Sequence, residues 1–122
     1  MTRFLKLCVV SLIVCGCETT LDFEEPIEYA IVRIPNTQTD KLLSVANRNW
    51  MVGVLEECSW EQTDKDLVSN YRFEIKRIGD SVFGQIVANT VFIMTERNEI
   101  IECQITENIA HDFKALFKYK GN

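Results

Sequence analysis

The sequence predicts a mainly β domain: a curled antiparallel meander or small barrel of about six strands with one short helix, or an α+β variant whose C-terminal segment is helical. Three observations carry this. Apolar and polar residues alternate with period two in several segments, those segments are rich in β-branched and aromatic residues, and Gly, Asn and Asp punctuate them at short intervals.

The first alternation opens at Ile27. Tyr29, Ile31 and Arg33 fall on one side and Ala30, Val32 and Ile34 on the other, and the run ends at Pro35-Asn36, which describes a strand with one mostly apolar face. In residues 37–47, Thr39 or Asp40 is placed to cap a helical turn whose apolar side is Leu42, Leu43, Val45 and Ala46; this is the short helix. Trp50 to Cys58 is apolar and rich in residues that favour sheet, so it is expected as a strand with Cys58 near its end. Ser59 to Ser69 is polar and reads as a surface loop, with Trp60 exposed on it.

The clearest pattern follows. Tyr71, Phe73, Ile75 and Arg77 alternate with Arg72, Glu74, Lys76 and Ile78, the signature of an antiparallel strand with one wet face. Gly79-Asp80-Ser81 turns the chain into residues 82–94, a stretch long for one strand, so a bulge or break is expected around Gly84 and Ala88-Asn89. Thr95 to Asn98 makes a tight turn, and Glu99 to Ile105 returns with Cys103 on it; strands joined this closely pair with each other. At the end, Ile109, Phe113, Leu116 and Phe117 fit a helix, whereas Phe113, Ala115, Phe117 and Tyr119 alternate with Lys114, Leu116, Lys118 and Lys120. The alternation favours a strand, and closing the strands into a barrel would hide their edges.

The N-terminus is a different kind of segment. Arg3 and Lys6 precede an uncharged run from Leu7 to Val14, the n-region and h-region of a secretory signal. The run stops at Gly16 with Glu18 just behind it, short of the roughly 20 apolar residues a membrane-spanning helix needs. Val14, Gly16 and Cys17 stand in the order aliphatic, small, cysteine, with Cys15 where a small neutral residue is usual. This resembles the lipobox of bacterial lipoproteins, over roughly the first fifth of the chain. The resemblance implies a signal peptide at 1–16, removed on processing, with the Cys17 thiol joined to a diacylglyceryl group and the new amino terminus acylated, as with palmitate. It also implies the outer membrane, facing the periplasm, rather than the inner membrane, because Glu18 stands where an inner-membrane lipoprotein has Asp. Two or three acyl chains anchor stably, each buried methylene contributing about 0.8 kcal/mol. Residues 17–26, four of them acidic, are then expected as a short solvated tether, with docking of Leu21 and Phe23 on the domain as the alternative that would shorten it, and 27–122 as the single domain.

Removing Arg3 and Lys6 from 13 basic and 18 acidic side chains leaves 11 against 18, a net charge of −7. That sign argues against nucleic acid as a partner. Five cysteines become two once Cys8 and Cys15 leave with the signal and Cys17 takes the lipid, so Cys58 and Cys103 are expected as one disulfide in an oxidising compartment.

No constellation points to an enzyme, a metal or a cofactor. His111 is the sole histidine, expected in a surface loop beside Asp112, and no G-x-S-x-G element accompanies Ser59, Ser69 or Ser81. Glu24 with Glu25 and Glu56 with Glu57 are chain neighbours, which a strand sends to opposite faces. Trp60 is the expected anchor of a protein contact, with Lys114, Lys118 and Lys120 as a basic cluster. The expected function is therefore a membrane-tethered binding or accessory protein that contacts an envelope protein, masking a receptor or excluding a competitor. Its rivals are a structural component of an envelope complex and a carrier with an apolar cavity lined by Phe73, Ile75, Phe92 and Phe117.

Overall fold

In the computed structural model, which describes Phe23 and residues 26–65, 69–95 and 97–118, the alternating segments form strands of one sheet. The elements are β1 (Ile27–Arg33), β2 (Asp40–Leu42), α1 (Val45–Glu56), β3 (Glu61–Thr63), β4 (Arg72–Arg77), β5 (Ser81–Val87), β6 (Thr90–Met94), β7 (Ile100–Gln104) and α2 (Glu107–Ala115). The fold is mainly β, with the strand order β2-β1-β4-β5-β6-β7-β3 and every neighbouring pair antiparallel.

The sheet has seven strands and is open, which corrects the barrel alternative: no pairing joins β2 to β3 among the described residues. Both edge strands are three residues long, and short edges offer little template for pairing with another chain.

Local chemistry explains the turns. The break expected in residues 82–94 falls at Ala88-Asn89, where Ala88 takes φ 53° and the chain reverses between Val87 and its partner Thr90, so the stretch is two strands. Asn98 takes φ 63° in the turn between β6 and β7, a conformation Asn tolerates better than most residues.

Both helices depart from the sequence reading. The first begins at Val45 rather than near Asp40, and Asp40 is instead on the edge strand β2. Ser44 sets the start, its hydroxyl accepting from the Asn47 N–H at 3.1 Å. The helix then takes in most of residues 50–58, expected as a strand. Met51, Val52 and Leu55 are its buried stripe, while Trp50 and Val54 leave the run apolar on a second side, so its periodicity is weak. At the C-terminus the helix prevails over the strand. The Thr106 hydroxyl accepts from the Ile109 N–H at 3.2 Å, and Ala110, Phe113, Leu116 and Phe117 are buried together.

The helices cross one face of the sheet in opposite directions. α1 leaves β2 at one edge, and Cys58, two residues past its end, is bonded to Cys103 on β7 near the other. α2 leaves β7 and returns to β2, where Lys41 Nζ donates to the carbonyl oxygens of Leu116 (3.2 Å) and Lys118 (2.9 Å). Between helices and sheet lie Ala30, Val32, Phe73, Ile75, Ile86, Val91 and Ile93, all buried. Phe113 joins the layers, its ring centroid 5.6 Å from that of Phe73 and 6.0 Å from that of Trp50. Gly84, opposite Phe73 on β5, leaves the space the Phe73 ring occupies.

Phe23 belongs to this core. Its ring is 9% exposed, with the Arg77 guanidinium 5.6 Å above it, and its N–H donates to Glu56 Oε2 at 3.2 Å. Of the two readings of residues 17–26, docking therefore holds at Phe23, while Leu21 lies outside the described residues.

Candidate binding face

Among the described residues no helix packs on the second face of the sheet, and strand register organises that face into rows. Leu42, Ile31, Glu74, Phe83, Met94 and Ile100 are successive cross-strand partners from β2 to β7. Five of these six are apolar on a face that solvent would otherwise wet. Leu42 is 66% exposed, Phe83 53% and Met94 42%. Glu74 interrupts the row and is held by the Ser81 hydroxyl, which donates to its Oε2 at 2.8 Å.

The neighbouring row is polar with one aromatic: Arg72, Gln85, Phe92 and Glu102 pair in sequence from β4 to β7. Phe92 is only 5% exposed. Lys65, just past β3, reaches Glu102 on the same face at 3.4 Å. Among the described residues no element crosses the part of the face nearer β1 and β2.

Hollows flank Phe83. One of about 180 Å³ lies among Ile31, Arg33, Asp40, Arg72 and Glu74; another of about 180 Å³ is bordered by Arg72, Gln85 and Met94. The cations at their rims differ. Arg33 is bound through Nε to Asp40 Oδ1 at 2.6 Å. Arg72 gives its Nε to the Ser69 carbonyl at 3.0 Å, and its terminal nitrogens make no other bond among the described residues. The face therefore offers an aromatic ring, two flexible apolar side chains and a guanidinium with donors to spare, a composition suited to protein contact.

The sequence-predicted site residues fall elsewhere. Trp60 is fully buried and its indole N–H donates to the Leu55 carbonyl at 3.0 Å, so it is a core residue and not a contact. Lys114 lies on α2 with Nζ 5.8 Å from the Tyr71 ring, and Lys118 is exposed just beyond that helix. Both are on the helical side, away from the Phe83 row. Lys120 and Cys17 lie outside the described residues.

Cys58 and Cys103 do form a disulfide, with Cα atoms 5.9 Å apart and 45 residues between them in sequence. His111 and Asp112 are exposed on α2, not in a loop. The Ser69 hydroxyl is committed to the Ile86 carbonyl at 2.8 Å. Among the described residues no three His, Cys, Asp or Glu side chains gather as metal ligands, and no helix is long and apolar enough to cross a membrane.

The four residues expected to line a carrier cavity do not share a space. Phe73, Ile75 and Phe117 pack in the core beneath the helices, whereas alternation along β6 sends Phe92 to the other face. The residues missed from sequence are Phe83, Met94, Leu42 and Arg72. A signal existed in β5, where Phe83 occupies the face shared with Gln85 while Gly84 occupies the core face. An aromatic set out of phase with the core marks a surface with an apolar use. No protein-family model, curated protein or solved structure matches this chain, so the open face of its sheet is characterised by its own residues alone.

Proposed function

We propose that this is a lipid-anchored protein of the bacterial outer membrane, facing the periplasm, which works by docking an envelope protein on the open face of its sheet and thereby masking that protein or excluding its competitors. The observation that carries the docking role is the row of Leu42, Ile31, Phe83 and Met94 across four strands, exposed at Leu42, Phe83 and Met94, with Arg72 beside it. Interfaces place aromatic and Met side chains at the centre with Arg close by, and a few such residues supply most of the binding energy. The anchor is supported by Val14-Cys15-Gly16-Cys17 and by the basic and apolar segments before it. The disulfide between Cys58 and Cys103 is compatible with an oxidising compartment.

The test compares membranes from cells making the native protein, Phe83→Ser and Cys17→Ser, with partners recovered by affinity purification and the intact mass of each chain measured. The proposal expects a diacyl or triacyl mass on a chain beginning at Cys17, lost in Cys17→Ser. It also expects a partner whose recovery falls about 30-fold with Phe83→Ser, the equivalent of a hot spot of about 2 kcal/mol. A partner recovered equally well with Phe83→Ser removes the docking role, and an unlipidated chain removes the anchor.

A further inference from the structure

We infer that the protein docked on this face is integral to the membrane that holds the lipid, and that it is engaged side-on where it emerges into the periplasm. This rests on the reading of Cys17 as the anchor and of the Phe83 row as the dock. Phe23 carries the step beyond them. Because its ring sits in the core and its N–H is bound to Glu56, the leash from Cys17 is six residues long rather than the ten that lead to Ile27. Six residues reach at most about 20–22 Å in any conformation. A folded domain of about 100 residues has a radius of gyration near 13 Å, hence a width of roughly 34 Å. A leash shorter than the domain is wide does not allow the domain to turn over, so the end bearing Phe23 faces the bilayer.

Register identifies that end. Arg77, under which Phe23 packs, is the partner of Ile27 at the start of β1, and Ile78 and Gly79 turn the chain from there into β5. Ile78 is 63% exposed at this tip. The turn at Ala88-Asn89 lies at the opposite end of β5 and points away from the membrane. Phe83 is two residues beyond Ser81, a rise of about 7 Å at roughly 3.4 Å per residue. The row from Leu42 to Met94 is thus held within about 30 Å of the bilayer, on the flank of the domain.

The exposed apolar side chains of the row are Leu42, Phe83 and Met94, and alternation along β1 and β5 adds Tyr29 and Val87 to the same face. Confinement of both partners to one membrane raises their effective concentration, which favours a membrane-integral partner over a soluble one for a surface held this close to the bilayer. The complementary segment presents an apolar side chain to the hollows beside Phe83 and a carboxylate to Arg72, whose terminal nitrogens are unclaimed among the described residues.

The experiment places a photoreactive phenylalanine analogue at position 83 of the full-length chain in a double-membraned bacterium. Living cells are irradiated, adducts are identified by mass spectrometry, and the lipid on Cys17 is verified by intact mass. The expected product is an adduct with an integral outer-membrane protein. Its yield should fall roughly twofold when about 20 Gly and Ser residues are inserted between Thr19 and Thr20, since the domain is then spread over a layer whose thickness grows about as the square root of leash length. Arg72→Glu should lower the yield as well. An adduct with a soluble periplasmic protein, or a yield indifferent to the insertion, overturns the inference and leaves the docking face standing. A lipidated chain with no adduct overturns the docking face, an unlipidated chain overturns the anchor, and either takes the inference with it.

Discussion

Gly84→Ala should cost this domain about 2 kcal/mol, through a collision with one ring. A Cβ built on Gly84 lies 2.7 Å from both Cε1 and Cε2 of Phe73, and closer still to Cζ. At an ordinary strand position the change would gain about 0.5–1 kcal/mol by restricting the unfolded chain. Overpacking a core costs about 1–3 kcal/mol, and this site belongs at the upper end because the ring has nowhere to go. Phe73 is 4% exposed and abuts the Phe113 ring, itself fully buried. At about 4–8 °C per kcal/mol for a domain of this size, the melting temperature should fall by roughly 8–16 °C.

A double-mutant cycle isolates the cause. Phe73→Leu alone should cost about 1–2 kcal/mol, including the lost aromatic pair with Phe113, but it vacates the space above position 84. The double variant should therefore be more stable than the sum of the single changes predicts by at least about 1.5 kcal/mol, measured by urea denaturation. A neutral Gly84→Ala, or losses that add within about 0.5 kcal/mol, would refute the steric argument.

Other outcomes follow from contacts already described. Reducing the Cys58–Cys103 bond, or replacing both residues with Ala, should cost about 4 kcal/mol for a closed loop of 45 residues, read as a fall in urea midpoint. Trp60→Phe should lose about 1–3 kcal/mol in the same assay, because the Leu55 carbonyl then has no indole N–H to accept from in a buried setting. Ser44→Ala and Thr106→Ala should each cost about 1 kcal/mol by removing a helix cap, with smaller losses from Thr in their place for Ser44 than from Ala. Phe83→Ser should stay within about 0.5 kcal/mol of the native stability, since its ring is half in solvent and outside the core; a larger loss would mark it as structural.

The strands were readable where residues two apart in sequence share a fate. Tyr71 to Ile78 alternates because one face of β4 is core and the other is not, and that information is local. The same holds for β1 and for the return of β7 with Cys103. The pairing of the two cysteines was readable once the lipobox resemblance was applied, since a leader at 1–16 and a lipid on Cys17, as that resemblance implies, leave only Cys58 and Cys103. What failed was local evidence that fits two periods at once. Trp50 to Leu55 is apolar at consecutive positions, and Phe113 to Phe117 satisfies both a helical and an alternating template. Propensity favours sheet for such residues, and the caps at Ser44 and Thr106, with burial against the sheet, override it.

The binding face was hidden for a related reason. A side chain's face depends on the register of the whole sheet, and its exposure depends on what crosses that face. Trp60 and Phe83 are both large aromatics in strand-like surroundings, yet Trp60 finds an acceptor at Leu55 and is buried, while Phe83 is left half-exposed on the side opposite the two described helices. Phe92, one strand over, is buried on that same side. Composition, charge, the leader pattern and strand alternation are sums over near neighbours, and one chain suffices to read them. Which aromatics are core and which face outward is settled by contacts between residues 5, 33 and 75 positions apart, such as Trp60 with Leu55, Phe23 with Glu56 and Lys41 with Leu116. Those contacts come into being only when helices and sheet pack together.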